Sequence, residues 1–206
     1  AVTGGNNVAI GYGSMYYNTS GYENVAIGAS ALTANTTPRG NVAVGTRCMT
    51  SNTTGDKNSA LGFDSFKDNT TGHSTSAVGY EALRYHTTGH SNSGFGYRVL
   101  YKNTTGYENS ASGYQAGYEI TTGNSNSCFG KAAGYNINTG SQNTTIGKLA
   151  GGNITTGTNN TALGYSSLYG YYTGITGSLN VGIGYQTGED LTSGSRNVLI
   201  GNLPGK

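Results

Sequence analysis

Glycine returns on a fixed beat along this chain, each time closing a short apolar run. It stands at Gly11, Gly28, Gly45, Gly62, Gly79, Gly96, Gly113, Gly130, Gly147, Gly164, Gly184 and Gly201. Every interval is 17 residues except that between Gly164 and Gly184, which is 20. Three residues are therefore inserted, within Tyr169–Thr176. A strict period of this size restricts a chain to stacked copies of one supersecondary unit, a solenoid. The unit reads G-x-x-N-x-A-h-G-Y-x-A-L-x-x-N-T-T, positions 1 to 17, with h a large apolar residue. Position 1 departs from glycine only at Pro38, and position 4 from asparagine only at Thr75.

Composition alone points the other way. Val, Ile, Leu and Phe make about 16% of the chain, below the roughly 20% that marks disorder. The companion condition, high net charge, fails at +2, and no disordered linker holds a register through twelve units. Charged residues are 10% of the chain, so its surface is built from Asn, Thr, Ser, Gly and Tyr, as suits an outward-facing, extracellular fibre. Near-neutral charge argues against a nucleic-acid partner, which needs a basic stripe. No apolar stretch approaches the roughly 18 residues of a membrane span, and no signal peptide is evident. The chain opens and closes inside a repeat, which reads as a segment of a longer assembly.

Positions 4 to 8, as in Asn24–Gly28, predict a short strand ended by glycine. Positions 5 and 7 share one face and position 6 takes the other. Position 7 is large and apolar (Ile10, Ile27, Val44, Leu61, Val78, Phe95, Phe129, Ile146, Leu163, Ile183, Ile200), with Ser112 the exception. Position 6 is mostly small: Ala9, Ala26, Ala43, Ala60, Ala77, Gly94, Ala111, Ala162. A 17-residue coil cannot enclose a thick core, so the second, small-residue face is expected to meet another chain.

Positions 12 and 15 vary together. Leu32, Met49, Phe66, Leu83 and Leu100 accompany Asn35, Asn52, Asn69, His86 and Asn103. Gly117, Gly134, Gly151 and Gly188 accompany Ile120, Ile137, Ile154 and Leu191. Conserved core volume predicts that both positions fill one interior pocket from two sides of a bend. The Gly and Asn positions are read as corners with φ > 0, and stacked Asn side chains as ladders bonded from coil to coil. Sequons such as Asn18-Thr19-Ser20 and Asn103-Thr104-Thr105 arise from the repeat itself. Cys48 and Cys128 fall five units apart, roughly 24 Å at strand spacing, too far for a disulfide; both are read as small core residues.

Few patterns suggest chemistry. Arg47, Asp64, Glu81 and Arg98 occupy position 10 of successive units. Stacking brings the two acids to about 5 Å, near the carboxylate separation of a retaining glycosidase, but the flanking arginines favour a surface salt ladder. His73 and His90 both hold position 2 and lack the acids or thiols of a metal set; they read as a solvated turn. The aspartates are too few for a calcium-binding roll. No catalytic residue, metal ligand or cofactor is expected. Position 9 carries an aromatic row, Tyr12, Phe63, Tyr80, Tyr97, Tyr114, Tyr165 and Tyr185, read first as packing and second as a platform for a cell-surface glycan. Adjacent threonines at positions 16 and 17 point to opposite faces, against an ice-binding plane.

The units N-V-A-I-G (Asn7–Gly11, Asn24–Gly28), G-Y-E-A-L (Gly79–Leu83) and N-T-T-G (Asn69–Gly72, Asn103–Gly106) resemble the repeat shaft of phage tail fibres that precede a self-cleaving chaperone domain. They also resemble the heads of YadA-like trimeric adhesins, whose repeat is shorter, which favours the fibre. Either resemblance implies a homotrimer, attachment to a surface and no active site. The expectation is a single domain, 1–206: an all-β parallel β-solenoid of about twelve coils, homotrimeric or stacked end to end. Its role would be a tail-fibre shaft. The alternatives are a bacterial adhesin, a self-assembling extracellular filament or a sugar-cleaving viral spike.

Overall fold

The computed structural model describes residues 4–205. The chain is an all-β parallel β-solenoid of about 11 turns, 17 residues apart. Among the described residues no helix is long and apolar enough to cross a membrane. The contacts divide the chain into two compact units, Ala1–Thr105 and Gly106–Lys206. The first carries β1 (Val8–Ile10), β2 (Val25–Ile27), β3 (Val42–Val44), β4 (Ser59–Leu61), β5 (Ser76–Val78) and β6 (Ser93–Phe95). The second carries β7 (Ser110–Ser112), β8 (Ser127–Phe129), β9 (Thr144–Ile146), β10 (Thr161–Leu163), β11 (Val181–Tyr185) and β12 (Val198–Asn202). Within each unit neighbouring strands pair in parallel and copies of one position meet: Ala26 opposite Ala43, Ala60 opposite Ala77, Cys128 opposite Thr145. Between β10 and β11 Thr161 meets Val181 and Leu163 meets Ile183, so the insertion leaves the register intact.

Each coil bends through four left-handed residues, at positions 3, 8, 10 and 12. Lys57 (φ 56°), Asp64 (52°) and Phe66 (51°) show three of them, and position 8 is glycine with φ between 123° and 142°. Here the asparagine expectation is corrected. The position-4 and position-15 asparagines do not have positive φ; Leu, Phe, Asp, Lys and Ser do. Where another coil follows, the position-8 glycine is required on two grounds. Its φ lies where L-residues are strained, and a Cβ on Gly62 would sit 2.3 Å from the carbonyl oxygen of Gly79.

The asparagines act through their side chains instead. At position 4 Asn41 Oδ1 accepts from the backbone N–H of Asn58 (2.9 Å), and its Nδ2 donates to the Gly55 carbonyl (2.8 Å). The same pair of bonds recurs at Asn58, Asn126, Asn143 and Asn160, all buried. A second ladder runs at position 15, where Asn35 Nδ2 donates to Asn18 Oδ1 and Asn69 Nδ2 to Asn52 Oδ1. A coil too thin for a large apolar core thus satisfies its buried backbone groups with amides. The sequon side chains Asn18 and Asn103 are buried as well.

The strand faces are reversed from expectation. Position 6 points inward: Ala26, Ala43 and Ala77 are wholly buried. Position 7 points out, leaving Leu61 49%, Phe95 47% and Ile146 41% exposed. The reason is steric. A Cβ on Gly94 would lie 2.5 Å from Leu83 Cδ1 and 3.1 Å from Val99 Cγ1. Where position 12 is large, the side chains of positions 11 and 12 already fill the space beneath the strand, so only a small residue fits at position 6.

The shared pocket of positions 12 and 15 is present. Leu32, Asn35, Leu83, His86, Ile137 and Ile154 are fully buried. A Cβ on Gly134 would meet Ile137 Cδ1 at 2.8 Å, and one on Gly151 would meet Ile154 Cδ1 at 2.9 Å. Position 6 shares the same space, which the sequence reading missed. Cys128 Sγ lies 2.6 Å from a Cβ on Gly134, and Thr145 Cγ2 lies 2.4 Å from one on Gly151. The larger residues Cys128 and Thr145 at position 6 accompany glycine at position 12.

Candidate functional site

The candidate residues lie on the corners and outer faces of the coils. The position-10 residues form an ion-pair ladder, though not the surface ladder expected. The Asp64 side chain is only 1% exposed. Arg47 Nε and Nη2 each donate to it, at 2.7 and 2.8 Å. Arg84, from position 13, stands 3.6 Å from Asp64 and 2.7 Å from Glu81. Arg98 Nε donates to Glu81 at 2.6 Å, and that bond raises the Arg98 guanidinium above its ordinary value. Burial makes the arginines mandatory, since an unpaired carboxylate there would be costly. Each acid is thus held by two guanidiniums, with Arg84 shared between them.

The aromatic row is broken wherever position 9 is not aromatic. In the first unit Phe63, Tyr80 and Tyr97 stack at 5.5 Å centroid spacing, with interplanar angles of 10° and 8°. In the second, Tyr165 and Tyr185 stack at 5.2 Å. Cations close the open ring faces: Arg47 over Phe63 (4.8 Å), Arg98 beside Tyr97 (5.2 Å), Lys131 over Tyr114 (5.6 Å) and Lys148 over Tyr165 (5.3 Å). Within these stacks the ring faces turn toward one another or toward cations, whereas a stacked sugar needs an open face. Tyr12 differs: it is 90% exposed and its neighbour at position 9 is Ala29. The insertion holds a further aromatic group, Tyr169, Tyr171 and Tyr172, that period-based reading passed over.

His73 and His90 stack at 5.1 Å with each Nδ1 3.3 Å from the hydroxyl of the following serine. Among the described residues no three His, Cys, Asp or Glu side chains could hold a metal ion together. Cys48 and Cys128 are free and buried; burial pushes their thiols up to about 12 and about 11. Burial and a hydrogen bond with Tyr85 likewise push Tyr101 up to about 12. The position-16 threonine hydroxyls are engaged in the ladder: Thr53 donates to the Thr70 carbonyl and Thr70 to that of Thr87.

This leaves the outer strand face as the largest feature. In the first unit Ile10, Ile27, Leu61 and Phe95 lie on it; in the second, Phe129, Ile146, Leu163 and Ile200. Compared with family models, curated proteins and solved structures, the chain matches none.

Proposed function

We propose that the chain is a structural segment of an extracellular attachment fibre, the shaft of a tail fibre, assembled as a homotrimer about its outer strand face. The observation that carries this reading is that face: exposed apolar side chains at position 7, held in line by a rigid strand register. Contiguous exposed apolar surface on an otherwise polar protein marks an interface. A flat strand row repeated from coil to coil suits a copy of itself, because equal spacings match along the whole contact. The role is structural rather than catalytic: the buried acids are neutralised by arginine, and the repeat is spent on rigidity. The scarcity of charge suits a fibre surface outside the cell.

Sedimentation equilibrium of the whole chain tests it. The expected mass is three times that of one chain, falling to one in a variant carrying Ile27→Lys and Leu61→Lys. Those side chains point outward, so the variant should keep the wild-type β circular-dichroism signal below its melting transition, with the midpoint lowered by the lost assembly. A wild-type chain that sediments as a monomer at micromolar concentration overturns the reading.

A further inference from the structure

The three-residue insertion departs from the period without disturbing the stack. Leu168 and Ile175, on either side of it, are fully buried. Ile175 pairs in a parallel bridge with Ile154, and its N–H donates to the Asn153 carbonyl at 2.7 Å. Between these anchors the chain bulges outward through Gly170 (φ 66°) and Gly174 (φ 79°). The bulge is pinned to the next coil by the Tyr171 N–H, which donates to the Glu189 carbonyl at 2.9 Å. In repeat proteins such insertions collect on a binding face.

The bulge presents Tyr171 and Tyr172, 59% and 76% exposed. Their rings meet edge to face, 5.1 Å apart at 73°, unlike the parallel stacks of position 9. An edge-on pair leaves a ring face open. Beside them runs a groove of about 360 Å³ lined by Tyr171, Tyr172, Gln186, Glu189 and Asp190. That volume lies at the small end of ligand sites. Gln186 Nε2 donates to Glu189 Oε1 at 3.2 Å, which orients the carboxylate. Asp190 is exposed at the rim. The lining holds two carboxylates, an amide and two phenols, and no lysine or arginine.

We propose that this groove binds a neutral saccharide. A pyranose presents an apolar C–H face and a rim of hydroxyls. The open tyrosine face takes the first, and the Glu189 and Asp190 carboxylates accept from the second. The Gln186 amide both donates and accepts, which matches hydroxyl groups, whereas an ammonium group can only donate. The two carboxylates repel an acidic sugar. The site is built from the insertion and the next coil of a single chain, so it can stand or fall apart from the fibre reading.

The test is an array of neutral, amino and acidic oligosaccharides probed with the full chain, followed by calorimetry on the strongest neutral binder. Tyr172→Ala and Asp190→Asn should each weaken binding by roughly tenfold or more. Tyr172→Phe, which keeps the ring, should stay within a few-fold of wild type. Tyr80→Ala, in the stacked row, should leave binding unchanged. Melting curves should show every variant folded. Absence of any neutral binder, preference for acidic or amino sugars, or full binding by folded Tyr172→Ala each overturns the proposal.

Discussion

Position 12 is the residue at which two costs meet. Leu100 has φ 48°, a left-handed conformation that disfavours a branched side chain, yet it is fully buried. Leu100→Gly relieves backbone strain of about 1–3 kcal/mol but opens a cavity whose usual cost is about 2–5 kcal/mol. The net effect should be destabilising. Asn103 shares the pocket, and among the described residues neither of its buried amide atoms has a hydrogen-bond partner. Asn103→Ile alone should overpack the site, whereas the Leu100→Gly, Asn103→Ile pair should recover most of the loss, as the second unit does with Gly134 and Ile137. A double-mutant cycle in chemical denaturation measures this coupling, and additive losses would refute the shared pocket.

Glycine at position 8 permits a cleaner separation of strain from contact. Gly62 and Gly201 have nearly the same φ, 135° and 131°. A Cβ on Gly62 strikes the next coil, while one on Gly201 meets nothing within 4 Å. Gly201→Ala should therefore cost only the conformational term, about 1–3 kcal/mol. Gly62→Ala should cost clearly more, with loss of cooperative melting in the first unit. Equal losses would mean that the backbone conformation, and not the stacking distance, selects glycine here.

At the scale of the element, the position-4 asparagine ladder matters more than any single strand, since each strand is three to five residues long. Asn58→Ala would strand the N–H of Thr75 in the interior; the carbonyl of Gly72 would lose one of two donors and keep Asn69 Nδ2 at 3.1 Å. For one buried unsatisfied group the loss should be about 1–3 kcal/mol. Thr75 already illustrates half of this defect. Its hydroxyl accepts from the Asn92 N–H at 3.3 Å but donates to the carbonyl of His73 rather than onward to the next coil. Thr75→Asn should restore the missing donor and raise the midpoint of urea unfolding; no rise would mean the ladder tolerates breaks. The ladder was legible as a column of identical residues. Its mechanism was not, because a column of asparagines at corners fits left-handed backbone equally well until φ is known.

For the molecule as a whole, the thiols set an alkaline limit. Their ordinary value is 9.0, and burial raises Cys48 to about 12 and Cys128 to about 11. The folded chain holds these protons more tightly than the unfolded one. Their contribution to stability is therefore complete below about pH 9 and falls as pH rises from there toward 12. Thermal melts between pH 8 and 11 should show a declining midpoint. A Cys48→Ala, Cys128→Ala variant should decline less steeply, and parallel declines would exclude the thiols as the cause. Alkylation by iodoacetamide at pH 8 should proceed only as fast as the chain opens.

The repeat by itself determined the parallel stack, the 17-residue register and the place of the insertion, because equal local sequences must adopt equal conformations when they stack. It also exposed the trade between positions 12 and 15, since a volume that must stay constant leaves a correlated trace. It could not decide which strand face turns inward. A three-residue strand with Ala26 on one side and Val25 and Ile27 on the other only says that the two sides differ. That choice was made in three dimensions, where large side chains at position 12 take up the narrow interior and leave room for no more than a methyl group, and a glycine there admits Cys128 or Thr145. The same packing drew Asp64 and Glu81 beneath their arginines, turned the ring faces of the aromatic row toward one another or toward cations, and left the tyrosines of the insertion with an open face. Each outcome depends on what lies one coil away, and contacts between coils are the part of the physics that a linear pattern does not contain.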